Sequence, residues 1–120
     1  MSVPVQLASI AAWQDEAHVK SNRDQYRIKF DTFKRVLEGS LDIQIPEASF
    51  YLWPQLPISG EAFAQRLYQE QHMTVLPSAY LSRENNGITP GFNRVRMALV
   101  STVEECEEAA LRIKSLVDSL

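Results

Sequence analysis

Few side chains in this 120-residue sequence combine reactive chemistry with a useful spacing, and Arg96 is the one that looks out of place. It stands inside the apolar run Val95-Arg96-Met97-Ala98-Leu99-Val100, where a guanidinium needs either water or a paired anion. Strand alternation puts Arg96 opposite Val95 and Met97 and on the same face as Arg94 and Ala98. Two readings follow from that placement: an ordinary solvated strand face, or a planar fork held on a rigid element to capture a carboxylate through two hydrogen bonds. Other chemistry finds little support. His18 and His72 belong to no metal-ligand spacing. Cys106 falls on the apolar face of a helix, which predicts a packed thiol rather than a nucleophile. Lys20, Arg23, Arg27, Lys29, Lys34 and Arg35 place half of the 12 basic residues in one short stretch. Asp24 and Asp31 interleave with them, so a solvated helix face is expected and nucleic acid is not an expected partner. No GxGxxG, GxxxxGK[ST] or GxSxG motif is present.

The elements that must position these residues are legible from periodicity. From Val5 to about Glu38, Leu7, Ile10, Ala17, Tyr26, Phe30, Phe33 and Leu37 recur at helical spacing, predicting one long or kinked helix over residues 1–38. Ser2 is placed to cap it, Pro4 suits its first turn and Gly39 its end. At 1.5 Å per residue such a helix reaches about 50 Å, more than the roughly 28 Å diameter of a compact domain of this size. Leu41–Ile45 alternates like a strand, and Phe50-Tyr51-Leu52-Trp53 reads as a buried one between Pro46 and Pro54. Ser59 caps a helix over 60–71. Met73–Leu76 and Arg94–Val100 are two more strand-like runs, joined by a 17-residue loop, Pro77 to Asn93, that carries Asn85-Asn86-Gly87 and Pro90-Gly91 as turn signals. A loop of that length is where a functional segment is expected. Thr102 and Glu105 form a capping box ahead of an amphipathic terminal helix. The order predicts an α/β domain: a long N-terminal helix, then, over 39–120, helices packed on a small mixed sheet.

Composition agrees with one globular domain, with 45% hydrophobic and 22% charged residues, and a net charge of −3 singles out neither nucleic acid nor an anionic membrane as partner. The single cysteine and the absence of a signal-like start point to a cytoplasmic setting.

Three strings in this order resemble a known family. Pro46-Glu47-Ala48-Ser49-Phe50-Tyr51-Leu52-Trp53 is similar to the proline-to-aromatic strand, Val75-Leu76-Pro77-Ser78-Ala79-Tyr80 to the entry of the active-site loop, and Arg94-Val95-Arg96-Met97-Ala98 to the "VR" strand of class I, fold-type I aminotransferases. The likeness spans nearly the whole chain and falls within their C-terminal small domain. Ile10 to Val19 and Leu76 to Gly91 most resemble the N-succinyldiaminopimelate aminotransferases of lysine biosynthesis. Ala48-Ser49 and Ser78-Ala79 depart from it, standing where the family carries glycine.

The resemblance implies that Arg96 binds the substrate α-carboxylate, that Phe50 and Tyr80 line the pocket, and that the 77–93 loop closes over it. It implies pyridoxal 5′-phosphate in the parent enzyme, and a junction helix over 1–38. Lys20, Lys29, Lys34 and Lys114 all fall in helical surface patterns and none matches the Schiff-base lysine, so no catalytic or cofactor-binding residue maps here. The expectation is a small-domain segment, produced as a fragment or from a truncated reading frame, silent by itself, without bound cofactor and prone to self-associate through an exposed helix face. The alternative is a non-catalytic interaction or oligomerisation module that keeps the fold.

Overall fold

The architecture, taken from a computed structural model that describes residues 1–120, is four helices on a three-stranded sheet. The N-terminal helical stretch is divided in two. Helix α1, Val3–Gln14, stops at Asp15, whose φ and ψ of −85° and 86° leave helical space. The Asp15 carboxylate then accepts hydrogen bonds from the Ala17 and His18 amides at 3.1 and 3.4 Å, capping helix α2, Glu16–Leu37. Ser2 is the N-cap of α1 with extended backbone but makes no side-chain capping bond. Gly39 leaves α2 at φ +82°, the left-handed exit its residue type favours, and Ser40 and Leu41 donate back to the Leu37 carbonyl. No residue of α1 is buried, whereas α2 buries Phe30, Phe33 and Leu37.

Strands β1 (Tyr51–Leu52), β2 (Leu76–Pro77) and β3 (Val95–Ala98) pair in the order β1-β3-β2. Tyr51 pairs with Ala98 and Leu52 with Met97 on one side, Leu76 with Arg96 and Pro77 with Val95 on the other. Both ladders are antiparallel, so the small sheet is not mixed. The strand expected over Leu41–Ile45 does not form. Leu41 and Ile43 do enter the core and Asp42 and Gln44 face out, but no neighbouring strand pairs with this backbone. Alternation there records burial on one side of an extended segment, which needs no ladder.

Helix α3, Gly60–Gln71, begins at Ser59, whose hydroxyl accepts from the Ala62 amide. Helix α4, Val103–Val117, carries the full capping box: the Thr102 hydroxyl accepts from the Glu105 amide at 3.2 Å and the Glu105 carboxylate from the Thr102 amide at 3.0 Å. Phe63 and Leu67 of α3, Cys106, Ala110, Ile113 and Leu116 of α4 and the α2 residues meet Leu52, Val95 and Met97 in one core. The 77–93 segment is folded, opening with a short 3-10 helix, Ser78–Leu81. It then reverses at Asn86 and Gly87, whose φ values of +51° and +77° suit the two-residue turn bridged by Asn85 and Ile88. No helix is long and apolar enough to cross a membrane.

Candidate carboxylate-binding face

The core takes one face of the sheet and leaves the other open. On β3, Val95 and Met97 are buried and point to the helices, while Arg96 and Ala98, and Arg94 just ahead of the strand, are not buried. Register places Tyr51 on the same open side, since it pairs with Ala98. The result is a pair of arginines set against aromatic rings: the Arg96 guanidinium lies 4.6 Å from the Tyr51 ring centre, and that of Arg94 5.8 Å from that of Trp53.

The two arginines differ in what they have left to offer. Arg94 donates Nη1–H to the Trp53 carbonyl at 2.8 Å, and the Trp53 indole N–H donates to Ser78, so Arg94 belongs to a local brace. The Arg96 side chain forms no ion pair or hydrogen bond within the chain, and its contact is the Tyr51 ring. With no polar partner inside the chain, the guanidinium keeps its N–H fork free, the donor set that matches a carboxylate edge. Phe50 sits one ring further along, 4.2 Å from Tyr51 between ring centres, and is half-exposed. Tyr80, on the 3-10 helix, is 73% exposed and stacks on neither arginine nor ring. Phe50 is thus brought toward Arg96 through Tyr51, and Tyr80 is not.

The lysines correct one sequence expectation. Lys29 is not a surface residue: only 8% of it is exposed, its Nζ–H donates to the Leu99 carbonyl at 3.1 Å, and it lies 4.7 Å from the Tyr26 ring centre. Its basic neighbours suggest a solvated face, but its spacing of three from Tyr26 and four from Phe33 puts it inside the apolar stripe of α2. Of the others, Lys20 pairs with Asp24 at 2.7 Å, Lys34 is exposed, and Lys114 donates to the Ser40 hydroxyl at 3.0 Å. In the rest of the basic run, Arg27 shares Asp24 with Lys20, Arg35 pairs with Glu107, and Arg23 makes no ion pair. His18 pairs with Asp15, and His72 closes α3 at φ +55°. Cys106 is buried, and burial pushes its thiol up. A recess of about 750 Å³ lies between α2 and residues 45–49, and Arg96 does not line it.

No protein-family model matches the chain. Its sequence relatives and structural neighbours are aminotransferases. It is 33% identical over 117 residues to the LL-diaminopimelate aminotransferase of Oleidesulfovibrio alaskensis, which covers 93% of this chain and 28% of that protein. The structure matches an aminotransferase from Neisseria meningitidis with a TM-score of 0.92 and 45% identity, over 98% of this chain and 30% of that one. A probable N-succinyldiaminopimelate aminotransferase from Thermus thermophilus matches at 0.69 and 31%, over 85% and 26%. The chain therefore spans under a third of the proteins it resembles, and its fold of helices on a small sheet is that of their corresponding segment.

Proposed function

We propose that these residues form the small-domain segment of a pyridoxal-phosphate-dependent aminotransferase, in which Arg96 binds the α-carboxylate of the amino or keto acid. The observation that carries this reading is a guanidinium on the central strand, on the open face of the sheet, braced by Tyr51 and with no anion of its own. Phe50 packs against the Tyr51 ring that carries it, whereas Tyr80 has no contact with this cluster. In this reading the segment does not itself hold the cofactor. A Schiff base needs a neutral, accessible amine, and Lys29 is buried on a carbonyl, Lys20 is ion-paired, Lys114 is hydrogen-bonded and Lys34 is exposed to water. In this reading the cofactor belongs to residues other than these. The finer proposal, an N-succinyl-diaminopimelate substrate in lysine biosynthesis, is supported by the strings Ile10–Val19 and Leu76–Gly91 and by the Thermus neighbour.

The test is binding of 2-oxoglutarate to the protein by titration calorimetry. Arg96→Ala should weaken binding by about 10- to 100-fold, the range for a lost hydrogen bond to a charged group. Equal affinity in the variant would remove Arg96 from the site.

A second reading rests on α1. It buries nothing, and Leu7, Ile10 and Trp13 are exposed, Trp13 by 85%. An apolar helix face of this kind supports self-association or a protein partner. Light scattering across a concentration range checks it, and a monomer throughout would count against self-association.

A further inference from the structure

Lys29 is a buried ammonium with no carboxylate within salt-bridge distance. Burying a charge costs several kcal/mol unless its partners repay it. Here the partners are one carbonyl and one ring, and both lead to the candidate site. The carbonyl belongs to Leu99, just past the end of β3 and three residues from Arg96; the Leu99 amide in turn donates to the Phe50 carbonyl at 3.0 Å, fastening β3 to the start of β1. The ring belongs to Tyr26, which lies 6.1 Å from Phe50 between ring centres; Phe50 lies 4.2 Å from Tyr51, and Tyr51 carries Arg96. A continuous path of contacts therefore joins the Lys29 ammonium to the Arg96 guanidinium, by backbone on one side and by a chain of tilted aromatic rings on the other.

We propose that Lys29 is a positioning residue for Arg96, setting the height and tilt of the Tyr51 ring and the end of β3 so that the guanidinium fork meets a carboxylate. The inference rests on the carboxylate reading of Arg96. A residue that only closed the packing of α2 on the sheet would change stability and leave ligand affinity alone. A positioning residue changes affinity in a fold that stays intact.

The experiment measures 2-oxoglutarate affinity and thermal unfolding for the protein and for Lys29→Met, Lys29→Arg, Arg96→Ala and the Lys29→Met/Arg96→Ala pair. Lys29→Met keeps the volume and removes charge and donor; it should weaken binding by about tenfold, within what a small misplacement of a binding group costs. Lys29→Arg restores a cation and donor and should recover most of that loss. In the Arg96→Ala background the Lys29→Met change should have no further effect. Affinity unchanged in a folded Lys29→Met protein overturns the positioning role and spares Arg96. Unchanged affinity in Arg96→Ala overturns the carboxylate reading and this inference with it. If Lys29→Met fails to fold, the unmodified protein decides: saturation with 2-oxoglutarate should shift the Lys29 Nζ resonance, and an unmoved resonance refutes the coupling.

Discussion

Gly60 offers the sharpest test of how the fold places β3, because helix propensity and packing there predict opposite signs. It is the first residue of α3, it is buried, and its backbone presses on the strand that carries Arg96. Propensity alone favours alanine by up to about 1 kcal/mol in a helix. A Cβ on Gly60, however, would overlap the Arg94 carbonyl oxygen and sit 3.4 Å from its carbonyl carbon. That neighbour is backbone and cannot rotate away, so β3 must retreat by about 1 Å to reach ordinary van der Waals separation. Overpacking of this kind costs up to about 3 kcal/mol. Less the helical gain, Gly60→Ala should lose about 2 kcal/mol, which at this chain length corresponds to a fall of about 8 °C in Tm. The retreat moves the strand two residues from Arg96, so 2-oxoglutarate binding should weaken as well. Gly39→Ala is the control: its φ of +82° strains any side chain, but no atom lies within 4 Å of the new Cβ. It should lose about 1 kcal/mol, the cost of a left-handed non-glycine residue, with binding unchanged. Circular dichroism melts and calorimetric titrations read both variants. A Gly60→Ala protein that melts at or above the wild-type temperature with unaltered affinity would refute the close approach of α3 to β3.

Three further predictions concern the rest of the framework. Burial raises the Cys106 thiol, so the native protein should resist a disulfide reagent at mildly alkaline pH and yield one equivalent only in denaturant. The sign for stability follows: the unfolded chain loses this proton first, so the contribution is intact below the ordinary thiol value and is lost as pH climbs from there toward the folded one. Urea midpoints at neutral and alkaline pH measure it, and a midpoint that rises with alkalinity contradicts it. Ser49 is held at φ +106°, and its hydroxyl accepts from the Tyr51 amide at 3.1 Å. Ser49→Gly relieves the backbone and forfeits that bond; the strain is the larger of the two, so stability should rise by about 1 kcal/mol. A lowered urea midpoint would show that the hydroxyl matters more than the backbone.

The parts of the fold written in local chemistry were legible from sequence. Ser59 before an apolar stripe and Thr102 with Glu105 define α3 and α4, because a cap and a periodicity each act within a few residues. Asp15 ends one helix and starts another, and its own carboxylate does the work, yet a continuous apolar pattern on both sides hides the break. Leu41–Ile45 shows the limit of alternation: the pattern reports which side is buried, and pairing depends on a partner the segment does not have. Lys29 was hidden by its chemical type, since its position in the α2 stripe already pointed inward. The stacking of Arg96 on Tyr51 depends on the register between strands more than forty residues apart, which no local signal encodes.

That register ties the site to the core. Tyr51 faces Ala98 and Leu52 faces Met97, so the same pairing that sends Leu52, Val95 and Met97 inward sends Tyr51 and Arg96 outward. A slip of one residue would exchange the faces. It would drive the Arg96 guanidinium toward Phe63 and Leu67, with no anion in the core to receive it, and would cost several kcal/mol before any loss of apolar burial. The apolar alternation of β3 therefore stabilises the fold and aims the arginine in one stroke. Placing Arg96 on the central strand, with β1 and β2 bonded on either side, adds rigidity that an edge strand or loop would lack. Arg94 shares the face but spends a donor on the Trp53 carbonyl, at the point where the ladder gives way to the Gln55 bridge. The free fork is thus the one at the centre of the sheet, and its freedom follows from where the strand pairing ends.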